Sequence, residues 1–159
     1  MDHEGEQKNY AGAIYGTIVS TAVIATASKE PSLGPVVIAG WAAATAFVFW
    51  LAHVYSDIVA GGYARPREAK ELVRSAVRRE WPLVQGALVP CAAVLVAGAT
   101  SLDANSGTWV GVIAGVIVLF ATGLLIGGKD HMPWGRRVIV GCFNASFGLI
   151  IVALKVWVH

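Results

Sequence analysis

Five long apolar stretches divide this chain, and no other feature restricts its fold as strongly. A helix rises about 1.5 Å per residue, so roughly 20 apolar residues carry it across roughly 30 Å of hydrocarbon. Lipid offers no partner to an exposed peptide group, which leaves helices as the only form such stretches can take there. The spans are expected at about 10–27, 35–60, 83–100, 108–127 and 138–158, joined by short segments rich in Gly, Pro or charge. Composition agrees: 56% of the 159 residues are hydrophobic and only 14% are charged. The expected fold is therefore all-α, a polytopic membrane helical bundle forming a single transmembrane domain over 1–159.

Orientation follows from the basic residues, since cationic loops are retained in the cytoplasm. With five spans, Lys8, the loop cations Arg65, Arg67, Lys70, Arg74, Arg78 and Arg79, and Lys129, Arg136 and Arg137 all fall on one side. Only Lys29 and Lys155 fall on the other. This bias puts the N-terminus on the cytoplasmic face of the plasma membrane and the C-terminus outside. Trp81 and Trp134 then lie at one interface, Trp109 and Trp157 at the other, as an aromatic belt requires. The first nine residues carry Asp2, Glu4 and Glu6 against Lys8, the wrong polarity for the start of a cleaved signal peptide, so the first span is expected to stay in the mature protein.

The second loop alone has internal order. Pro66 followed by Glu68 and Glu71 makes a helix start, and Ala69, Leu72, Val73, Ala76 and Val77 recur opposite Arg67, Lys70, Arg74 and Arg78. The pattern predicts a short cytoplasmic amphipathic helix at about 66–80 lying on the inner leaflet. Arg67, Lys70, Arg74 and Arg78 would then meet lipid headgroups, each contributing about 1 kcal/mol near an anionic surface.

Chemistry-bearing residues are few. His53 and Asp57 stand at i and i+4 on one face of the second span. Ionisable groups inside a span are costly and usually face protein or water. The pair could shuttle protons or bind a cation; equally, His53 could bond a neighbouring helix while Asp57 pairs with a loop arginine. Tyr15 and Thr17, Gln85, Thr122, and Asn144 with Ser146 lie at a similar depth, which suggests a polar cluster or vestibule. Tyr15, Thr17, His53, Asp57, Gln85 and Asn144 are thus the candidate ion or proton pathway. The outer halves of the spans are mainly Ala, Val, Leu and Ile, so a pore would need the axis of an oligomer. Lys155, in the last turn of the fifth span, is expected to snorkel to the outer interface.

Gly111, Gly115, Gly123 and Gly127 are spaced in fours along the fourth span, with shorter versions at Gly12 and Gly16 and at Gly141, Ala145 and Gly148. Such stripes allow close helix packing and hint at self-association. No catalytic or nucleotide-binding motif is present, and Ser56 beside His53 and Asp57 matches a triad in composition only. Cys91 and Cys142 form no CxxC pair. No enzyme activity, cofactor or nucleic-acid partner is expected; whether a metal binds is left open. Two functions stay in view: an oligomeric ion or proton channel or transporter with a His/Asp site, and a non-catalytic membrane subunit or regulator. The implied partners are membrane lipid and either further copies of the chain or another membrane protein.

The YGT segment at 15–17, FWLAHVYSD at 49–57, RREWP at 78–82 and the terminal LIIVALKVWVH at 149–159 resemble small multispan membrane proteins common in high-GC Gram-positive bacteria. That group has no assigned activity. The resemblance implies a topology and a cell-envelope location, with no catalytic residues.

Overall fold

A computed structural model describes residues 3–27, 30, 32–60, 66–100 and 104–157, with the backbone alone at 3–9, 66–69, 104 and 105. These residues form five helices: α1 (His3–Ala27), α2 (Pro35–Ala60), α3 (Pro66–Gly98), α4 (Ala104–Lys129) and α5 (Trp134–Trp157). All five are long and apolar enough to cross a membrane. The size distribution of their side chains fits that setting. Ala39, Ala42, Ala46, Ala87, Ala97 and Ala145 are buried, whereas Trp41, Phe47, Leu88, Phe143 and Leu149 point outward. Large apolar groups facing water over so wide an area would be unfavourable, and in lipid they cost nothing while small residues let backbones approach.

Helix ends follow local chemistry. Gly34 accepts the first amides of α2, from Val37 and Ile38, and Pro35 occupies the first helical position, where its missing N–H goes unused. α4 ends in a two-bond cap, with Met132 N–H bonded to Gly127 O at 3.0 Å and His131 N–H to Gly128 O at 3.2 Å. The cap needs a left-handed residue, and His131 supplies it at φ 51°.

One expected element is corrected. Residues 66–80 are not a separate surface helix; they are the first turns of α3, which continues through Pro82 without a break. A proline inside a helix removes one amide donor, and here Arg79 and Trp81, in the turn just before it, contact α2. The helix start expected at Pro66 is present. Because Asp57, near the end of α2, pairs with Arg79, well inside α3, α3 runs about 15 Å farther than α2 at this end. This is the basic end of the bundle.

α1 and α3 cross with their backbones almost touching. A Cβ on Gly16 would overlap the carbonyl of Leu83, and one on Gly86 would overlap that of Ala13. At this crossing Pro90 leaves the carbonyl of Gly86, four residues earlier, without its helical donor. Thr17, fully buried, supplies a replacement: its hydroxyl lies 2.9 Å from Gly86 O and 2.8 Å from Ala13 O in its own helix. In a medium without water such an orphaned carbonyl must be met from a neighbouring helix, and the threonine hydroxyl meets it.

The glycine series of α4 does not form one interface. Positions spaced in fours drift about 40° per step around a helix, so Gly111 and Gly127 face nearly opposite ways. Gly111 and Gly115 receive Val94 of α3 and Thr21 of α1, while Gly123 and Gly127 receive Gly141 and Arg137 of α5. These glycines are spent within the chain.

Candidate functional site

His53, Asp57, Arg79 and Glu80 gather at the basic end, where α1, α2 and α3 meet. Asp57 sits in the last turn of α2, and the antiparallel course of α3 brings Arg79 level with it. Both Nε and a terminal nitrogen of Arg79 contact Asp57 Oδ2, the Nε at 2.9 Å. Glu80 adds a second carboxylate, with Oε1 3.7 Å from Arg79 Nε. Two carboxylates this close repel unless a cation lies between them or they share a proton, and Arg79 serves as that cation.

One turn deeper, His53 Nδ1 lies 2.8 Å from Phe49 O of its own helix. A carbonyl can only accept, so Nδ1 carries a proton in this bond. The imidazole tilts against Tyr15 of α1, ring centres 5.3 Å apart, and Tyr15 meets Phe49 edge-on at 5.7 Å. Trp50 of α2 meets Trp81 of α3 edge-on at 5.9 Å, and its buried indole N–H has no hydrogen-bond partner among the described residues.

Of the six pathway residues expected from sequence, this brings together three: Tyr15, His53 and Asp57. The others lie elsewhere. Thr17 is sealed in the crossing of α1 with α3. Gln85 is exposed on the outer surface of α3. Asn144 is buried against Gly123 between α4 and α5, and among the described residues α2 and α5 do not touch. Thr122 and Ser146 bond carbonyls of their own helices, Val118 O at 2.8 Å and Phe143 O at 2.6 Å. Arg79 and Glu80 complete the cluster: Arg79 is one of the loop arginines with which Asp57 was open to pair, and Glu80 is not singled out by the sequence. Their signal was the order of charges around Pro82, an arginine and a glutamate where an antiparallel hairpin would face them to Asp57.

Lys70, Arg74 and Arg78 are exposed along the first turns of α3. The Arg67 side chain lies outside the described residues. Lys155 corrects the snorkelling expectation: it is 3% exposed, donates to Thr108 Oγ1 at 3.1 Å, and lies over the Trp109 ring at 4.4 Å. Its position explains this, because Lys155 continues the buried Gly141, Ala145, Gly148 face of α5. Cys91 and Cys142 are free, on helices that do not touch one another among the described residues. Among those residues no group of three or more His, Cys, Asp or Glu could hold a metal ion.

Comparisons with protein-family models, with curated proteins and with solved structures give no match to this chain. What the residues themselves establish is a five-helix chain apt for a membrane, with a compact His53, Asp57, Arg79 and Glu80 cluster at its basic end.

Proposed function

We propose that this chain is a non-catalytic membrane subunit or regulator, oriented with its basic end in the cytoplasm and engaged there with anionic lipid headgroups. The observation that carries the reading is the extension of α3 past the end of α2, with Lys70, Arg74 and Arg78 exposed along it. A projection of this kind at the basic end suits the negatively charged inner leaflet. The interior polar groups favour the same reading, since Thr17 and Asn144 serve separate helix seams and line no common path. Loss of all three charges in Lys70→Gln, Arg74→Gln and Arg78→Gln tests it by native mass spectrometry of the detergent-solubilised protein. Retained phosphatidylglycerol should fall relative to phosphatidylcholine by about fivefold for each cation lost, at about 1 kcal/mol per cation. Unchanged retention would remove the headgroup contact.

A second reading, an oligomeric ion or proton pathway, is favoured by one observation: His53 stands one turn from Asp57, whose carboxylate meets Arg79 beside Glu80. Such a path would run between copies of the chain along the outer face of α2. Its signature is flux in liposomes that disappears in His53→Ala. The resemblance to small multispan membrane proteins of high-GC Gram-positive bacteria is compatible with both readings.

A further inference from the structure

At the end of the bundle opposite the charged cluster lies a groove of about 360 Å³ lined by Ala22, Val23, Thr26, Ala27, Glu30 and Trp41. Its volume is that of the smaller ligand sites in proteins. Its lining is asymmetric. Ala22, Val23 and Ala27 make an apolar floor along the last turns of α1, and the Thr26 hydroxyl is turned back onto Ala22 O at 2.9 Å. Glu30 adds a carboxylate to the lining, with no ion pair among the described residues. The indole of Trp41, 54% exposed, forms the wall.

Three features of this site attract positive charge. Glu30 brings a full negative charge. The C-terminal end of α1, whose Ala27 carbonyl accepts from Glu30 N–H at 3.2 Å, brings the negative end of a helix dipole. The face of Trp41 offers an electron-rich ring to a cation. Among the described residues none that lines the groove is basic, so the described lining offers no partner to the phosphate that accompanies the amine of a zwitterionic lipid. We infer that this groove binds a free amphiphilic organic cation, its ammonium group held between Glu30 and Trp41 and its single apolar tail laid along Ala22 and Val23. The site lies far from the charged cluster and does not depend on the role assigned to it.

The test is equilibrium binding of radiolabelled decyltrimethylammonium to the full-length protein in phosphatidylcholine nanodiscs, corrected for empty discs. Saturable binding of one cation per chain is expected. Glu30→Gln should weaken it about threefold and Trp41→Leu by a similar factor, the range of an exposed ion pair and an exposed cation–π contact. Decanol, with the same tail and no charge, should respond to neither Glu30→Gln nor salt. Both variants change exposed positions, and circular dichroism with size-exclusion profiles like the wild type keeps the comparison sound. Binding that Glu30→Gln leaves intact, or that decyl sulfate matches, would overturn the inference. So would loss of cation binding on adding phosphatidylethanolamine, which would assign the groove to a lipid headgroup.

Discussion

Replacing Thr17 by valine keeps the shape of a fully buried side chain and removes the hydroxyl that reaches the carbonyl of Gly86. The effect can be sized. Interhelical hydrogen bonds in membrane proteins average about 0.6 kcal/mol and reach about 1.7 kcal/mol. Here the upper part of that range applies, because Pro90 has already taken away the carbonyl's helical donor and the loss leaves it unmet in apolar surroundings. Thr17→Val should therefore cost about 1.5 kcal/mol. The mechanism makes a sharper demand in a double-mutant cycle. Pro90→Ala restores an amide at position 90 that can bond Gly86 O, so Thr17→Val in that background should cost less than about 0.5 kcal/mol. Packing changes caused by either substitution alone cancel in the coupling energy, expected at about 1 kcal/mol. Reversible unfolding in mixed micelles with rising dodecyl sulfate, followed by circular dichroism, measures all four proteins. Equal costs for Thr17→Val with and without Pro90 would refute the idea that the threonine answers the proline.

Other substitutions probe the remaining features in the same unfolding assay. Gly16→Ala and Gly86→Ala should each destabilise by about 2 kcal/mol or more, since the added methyl meets a backbone carbonyl, whereas Gly40→Ala, with open space around it, should be neutral or stabilising by up to about 1 kcal/mol. His131→Gly should stabilise by about 0.5 to 1 kcal/mol, because glycine adopts the left-handed cap of α4 without the steric cost histidine bears. Lys155→Met should raise stability by about 1 kcal/mol: an amine that is 3% exposed loses more hydration than one hydroxyl and one indole ring return. A marked loss of stability in that variant would mean that Lys155 is paired more strongly than its contacts indicate.

The five helices were legible because length and apolarity alone determine what can cross a bilayer, and Pro66 marked the start of α3 for reasons local to its own turn. The relation between helices was less legible. Which loop arginine meets Asp57 depends on the register of α2 against α3, and only the folded pair selects Arg79 over Arg74 or Arg78. Thr17 read as lining for a pathway because its partner is a carbonyl orphaned by a proline 73 positions away, a relation no single-span pattern contains. Depth was equally misleading, since residues at one level of a bundle can face five different directions, as Gln85 and Asn144 do. Lys155 was different in kind. Its place on the small-residue face of α5 was visible in the spacing from Gly141 and Gly148, and nearness to the helix end drew attention away from it.

Ion and proton flux in liposomes containing the full-length protein, followed from about pH 5 to 8, the range over which an imidazole changes charge, tests the central claim most directly. A non-conducting subunit predicts flux no greater than that of empty liposomes for the wild type, His53→Ala and Asp57→Asn alike. Wild-type flux that is lost in His53→Ala would contradict it and establish the pathway between copies of the chain.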